Sequence, residues 1–121
     1  MTPGGRSRRG LGRVVALAMG IVAFAGALAA LRSPAPVPRK HLIEIRGMAF
    51  VPAELTVARG DTLVWGNRDI VAHTASASGT PGWDTGILGQ AASGRVVVRD
   101  AGTVHYLCRL HPTMRGTLVV R

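Results

Sequence analysis

A thiol, an imidazole and a thioether fall at intervals of three residues in Cys108-Arg109-Leu110-His111-Pro112-Thr113-Met114, and a second imidazole, His73, follows the apolar Ile70-Val71-Ala72. One thiolate, two neutral imidazoles and a weak thioether suit copper in both oxidation states, because the sulfurs favour the reduced ion and the nitrogens the oxidised one. Zinc rarely takes methionine, and its structural sites want a second cysteine pair, whereas this chain has one cysteine. Calcium and magnesium need oxygen clusters, and none lies near these positions. The competing chemistry is a Cys108–His111 nucleophile pair. It lacks a nearby acid to orient the imidazole, and no oxyanion-donating glycine turn precedes the cysteine. Taken singly, each donor reads as packing or surface; their combination at this spacing reads as a copper site.

Rigid elements must bring His73 to three donors that lie 35 or more residues further along the chain. From residue 41 onward the chain breaks into short β-branched runs separated by Gly, Pro, Asp and Asn, and no stretch keeps a helical apolar period over three turns. Strands are expected at 41–46, 54–58, 61–66, 71–77, 94–100, 103–108 and 116–121, with 48–52 extending the first. Ile43 and Ile45 alternate with Glu44 and Arg46, and Leu55 and Val57 with Glu54 and Thr56, so each strand has one wet and one buried face. Seven to eight such strands predict an all-β Greek-key sandwich with Trp65 and Tyr106 in its core. Cys108 then ends one strand, and His73 lies near the start of another.

With 121 residues the chain holds one domain plus tails. Its formal charge of +9 is partly local: five of the 15 basic residues lie in the first 33, leaving ten against all 6 acids. No basic run there exceeds Arg39-Lys40 and aromatics are few, so nucleic-acid binding is not expected. Residues 14–31 form an uncharged apolar run behind an arginine-rich start, the pattern of a signal peptide or an N-terminal membrane anchor helix. Ser7-Arg8-Arg9-Gly10-Leu11 resembles a twin-arginine export signal, and Ala27-Leu28-Ala29 has the small-x-small form of a cleavage site. Pro34, Pro36 and Pro38 make 33–40 a stiff spacer. The division expected is 1–32 leader or anchor, 33–40 linker and 41–121 domain, delivered to the periplasm or cell surface. An unpaired cysteine in an oxidising compartment is explained if a metal protects it.

Residues 48–121 resemble the blue-copper proteins, the plastocyanin and azurin family of cupredoxins. The C-x2-H-x2-M loop is most similar to that of the amicyanins, and Phe50-Val51-Pro52-Ala53-Glu54-Leu55-Thr56-Val57 adds a second block. The resemblance implies a cupredoxin-like sandwich with one type 1 copper. His73, Cys108 and His111 would lie in a trigonal plane with Met114 as the long axial ligand. It implies a one-electron carrier rather than an enzyme, acting as a monomer between a donor dehydrogenase and a cytochrome-like or oxidase acceptor. Electrons would pass through His111 inside an apolar collar of Leu110 and Pro112, joined by Met48 or Val71. Copper storage or delivery is the alternative function. Ala72 and Thr74 stand where many members have Pro and Asn; the Thr74 hydroxyl and N–H are expected to replace the missing bonds. His105 is expected to face solvent and His41 to be surface, while Trp83-Asp84-Thr85-Gly86 reads as a structural turn.

Overall fold

A computed structural model describes the chain except residues 3, 6–9, 11, 13–14, 19, 22–29 and 80–81. The twin-arginine and cleavage-site expectations, and most of the anchor helix, lie outside the described residues. No helix among the described residues is long and apolar enough to cross a membrane. The chain divides into Met1–Ser33 and Pro34–Arg121, and the second unit holds all the regular structure described.

That structure is eight strands: β1 Lys40–Arg46, β2 Ala49–Val51, β3 Glu54–Val57, β4 Thr62–Asn67, β5 Ser76–Ala77, β6 Ser93–Val97, β7 Gly102–Leu107 and β8 Arg115–Val120. They form two four-stranded sheets, ordered β2-β1-β4-β6 and β3-β8-β7-β5. β1 runs parallel to β4, and β3 to β8, so the chain crosses between sheets to make both pairings. The period-2 pattern explains the faces: Leu63, Trp65 and Asn67 of β4 are buried, as are Gly116, Leu118 and Val120 of β8. Trp65 and Tyr106 are the largest fully buried side chains. Their rings meet edge to face at 5.5 Å, and Phe50 and Trp83 pack against Tyr106 at 4.7 and 5.7 Å.

Two expected strands differ. The 48–52 segment does not extend the first strand but turns back as β2, because Gly47 and Met48 both adopt positive φ, the conformation of a tight hairpin turn. The 71–77 segment is a strand only at Ser76–Ala77. Upstream, side chains capture its backbone: the Asn67 amide donates to the Val71 carbonyl at 2.9 Å, and His73 meets Leu88 in an isolated bridge. This leaves 68–75 as a loop that carries His73 from one sheet to the other.

His41 is not a surface residue. It is half-buried, and its Nε2–H donates to Asp61 at 2.8 Å. The buried Asp61 carboxylate also accepts from the N–H of Arg39 and of Ala58. Those two backbone donors, followed by His41, pull its pKa down to about 2. A carboxylate whose folded pKa lies below its unfolded value of about 4 contributes stability above that value and loses it as pH falls toward 2. Thermal melts at pH 6 and pH 3 should therefore differ less in Asp61→Asn than in the parent, with the variant already less stable at pH 6.

Candidate metal centre

Four turns and loops meet at one end of the sandwich: the β1–β2 turn, the 68–75 loop, the 84–92 segment and the β7–β8 loop. The last is tightly closed, with the Cys108 N–H donating to the Met114 carbonyl at 3.1 Å and the Met114 N–H to the His111 carbonyl at 2.9 Å. The loop thereby turns back within six residues. Cys108 and His73 are fully buried, Met114 is 4% exposed, and His111 is half-buried.

His73, Cys108 and His111 come together as a cluster. Cys108 Sγ lies 3.8 Å from Nδ1 of each histidine, and the two Nδ1 atoms are 3.2 Å apart. A triangle with those sides has its centre about 2.1 Å from each corner, close to ordinary metal–imidazole and metal–thiolate bond lengths. Two imidazole nitrogens and a thiol converge, a donor set that fits a soft or borderline ion such as copper. Met114, the thioether on the same loop, is buried beside this end of the core.

Asp69 fixes the chemistry of His73. The His73 Nε2–H donates to the Asp69 carboxylate at 2.9 Å, which leaves the Nδ1 lone pair facing the cluster. The same carboxylate accepts from the N–H of Gly47 at 2.7 Å and of Met48 at 2.9 Å, tying down the positive-φ turn. The Met48 N–H, more than the Gly47 N–H and His73, holds the Asp69 carboxyl below the usual carboxylate range, against the opposing effect of burial. Asn67 supports the arrangement from beneath: its amide donates to the Val71 and Leu88 carbonyls, both at 2.9 Å, and its carbonyl accepts from the Asp69 N–H. Neither residue stands out in the sequence: asparagine beside Gly66 is the composition of an ordinary turn, and the signal for Asp69 is its spacing four residues before His73.

Asn67→Ala would strip these bonds, taking the side-chain donor from the Val71 carbonyl and leaving the Leu88 carbonyl the His73 N–H alone. We expect a loss of about 2 kcal/mol in urea unfolding, from three side-chain hydrogen bonds worth roughly 0.5–1.5 kcal/mol each. A melt indistinguishable from the parent would show that solvent reaches those carbonyls.

The expected role of Thr74 holds. Its N–H donates to Cys108 Sγ at 3.3 Å, and its hydroxyl accepts from the Arg109 N–H at 2.9 Å, joining the two loops. His105 is exposed, as expected, and Asp84 acts structurally, accepting from the Ser76 hydroxyl and the Gly86 N–H. Leu110, Met48 and Val71 are 44–47% exposed at this end. Ile70 and Ile87, which the collar expectation omitted, are more exposed still.

No protein-family model matches the chain. It is similar to amicyanin of Paracoccus denitrificans, 30% identical over 126 aligned residues that cover 86% of this chain and 92% of the relative. Among solved structures it is similar to the reduced form of a tryptophan-to-tyrosine mutant of amicyanin, with TM-score 0.64 and 28% identity over 68% of this chain and 82% of that one. It is also similar to the Cu(I) form of a methionine-to-alanine mutant of amicyanin, with TM-score 0.62 and 28% identity over 66% of this chain and 80% of that one.

Proposed function

The chain belongs to the amicyanin family of blue-copper proteins, and from that premise we propose an exported one-electron carrier whose copper is held by His73, Cys108, His111 and Met114. Membership makes it an electron-transfer protein with one copper ion rather than an enzyme. The observation that carries the ligand assignment is the triangle of Cys108 Sγ and two histidine Nδ1 atoms, with the His73 tautomer set by Asp69. When bound, copper supplies the one-electron couple.

The chain's own residues do the rest. Cys108 gives up its thiol proton on metal binding, and the Thr74 N–H stabilises the resulting sulfur charge. His73 is pinned on both sides, by Asp69 at Nε2 and by the Leu88 bridge at its backbone. With Cys108 and Met114 on a closed loop, the donors hold one arrangement for either charge state. His111 is the half-exposed donor, so its ring edge is the point of electron entry and exit. The apolar residues around that end supply the contact surface for redox proteins, a donor dehydrogenase and a cytochrome-like or oxidase acceptor, with the protein acting as a monomer. Residues 1–32 serve as a signal peptide or an anchor helix, 33–40 as the linker and 41–121 as the copper domain, placed in the periplasm or at the cell surface. The charge pattern ahead of residues 14–31 supports that topology.

Removing the carboxylate that orients a metal-bound histidine typically lowers metal affinity by about 10- to 100-fold. Asp69→Asn should therefore lose copper to a competing chelator at correspondingly lower chelator concentration, while the parent retains it. Equal retention would remove Asp69 from the account. Rapid loss from the parent itself would favour copper delivery over electron carriage.

A further inference from the structure

Strand direction gathers five of the ten cationic side chains of Pro34–Arg121 at one pole. β1, β4 and β7 start, and β6 and β8 end, at the pole opposite the donor cluster. Backbone hydrogen bonds close that pole: the Arg59 N–H donates to the Arg121 carbonyl at 3.0 Å, the Gly60 N–H to Val98 at 2.7 Å and the Thr62 N–H to Arg39 at 2.8 Å. Arg39, Lys40, Arg59, Arg99 and Arg121 therefore gather there. All five are exposed, and among the described residues none lies within ion-pair distance of a carboxylate. The acidic side chains at this pole are Asp61, buried with its bonds filled, and Asp100. Toward the donor end, Arg46 and Arg68 face Glu44 and Arg109 pairs with Asp84 at 2.9 Å, while Arg115 there and Arg95 in mid-strand are exposed without an ion pair among the described residues. Five cations against two acids make this pole the more cationic part of the folded unit, against five and four elsewhere.

The chain enters the fold at that same end, through Arg39, whose N–H is held by Asp61. The geometry points to this pole as a docking surface for an anionic lipid bilayer, which turns the His111 edge away from the membrane toward its redox partners. This rests on the membrane-anchor reading of residues 14–31. Residues 33–40 separate that run from the pole and span about 25 Å even fully extended at roughly 3 Å per residue. The polyanion within reach of such a tether is the plane of lipid headgroups. Clustered Lys and Arg near an anionic surface add attraction that salt screens over a Debye length of about 8 Å.

The test uses the full chain in nanodiscs of phosphatidylcholine alone or with phosphatidylglycerol, each carrying a headgroup nitroxide lipid, with amide relaxation read by NMR. In phosphatidylglycerol discs, amides at 39–41, 58–61 and 99–102 should relax at least about threefold faster than those at 70–74 and 108–113. The contrast should vanish in phosphatidylcholine discs, in about 0.5 M salt and in the Arg59→Glu/Arg99→Glu variant. Equal broadening at both ends, broadening centred on the donor end, or a contrast indifferent to lipid charge would overturn the proposal. Retention on the neutral discs reports the tether separately: a chain that elutes free of them refutes the anchor reading, and its salt-sensitive broadening on anionic vesicles then decides the pole.

Discussion

Replacing Cys108 by serine should abolish the intense visible absorption expected of the copper-loaded protein and its reversible one-electron couple. That absorption would be a charge transfer from thiolate to copper, and a serine hydroxyl offers a hard, protonated oxygen in place of a soft, readily deprotonated sulfur. Cys108 is fully buried, and its sulfur faces both histidine Nδ1 atoms at 3.8 Å, so no neighbouring group can take its place. The substitution is nearly isosteric, and the Thr74 N–H that donates to the sulfur can donate to the oxygen instead. The fold should survive, which far-ultraviolet circular dichroism checks. Persistence of both the colour and the couple in the folded variant would rule out the thiolate centre.

The second large effect is on stability. Gly116 of β8 pairs with Tyr106 of β7, and the phenol ring lies across the glycine so closely that an added Cβ would fall within the ring's own atoms. The ring has nowhere to go, because Phe50, Trp65 and Trp83 surround it. Its buried hydroxyl has no hydrogen-bond partner among the described residues, and burial pushes its pKa up to about 12. Gly116→Ala should therefore cost about 3 kcal/mol or more, at the upper end of overpacking penalties. Urea unfolding reads this directly, and pairing the change with Tyr106→Leu should recover part of the loss. Because Gly116 follows the donor loop by two residues, the single variant should also bind copper less tightly. An unchanged midpoint would mean that the strand can shift to accept the methyl.

Much of the centre was legible because soft donors are scarce. A chain with one cysteine, and with His111 and Met114 at fixed steps after it, leaves few other readings. The sheets were legible where alternation was strict, as at Ile43 and Ile45. What escaped the sequence was the polar framework beneath the donors. Asn67, Asp69 and Asp61 are residue types that ordinarily mark turns, and nothing local distinguishes an aspartate that caps a turn from one that clamps a histidine. Their partners lie 20 or more residues away in several cases: Asp69 with Gly47, Asn67 with Leu88, Asp61 with His41. The Asn67 bond to Val71 and the bridge to Leu88 explain why 71–75 is loop despite its β-branched start, and the bond to Asp61 explains why His41 is half-buried rather than free.

X-ray absorption at the copper edge, on protein loaded with one equivalent and measured oxidised and then reduced, tests the shared centre most directly. One short sulfur shell and two imidazole nitrogens, nearly unchanged between the two states, are the expected result. A shell of nitrogen and oxygen alone, or a set of neighbours that changes on reduction, would contradict it.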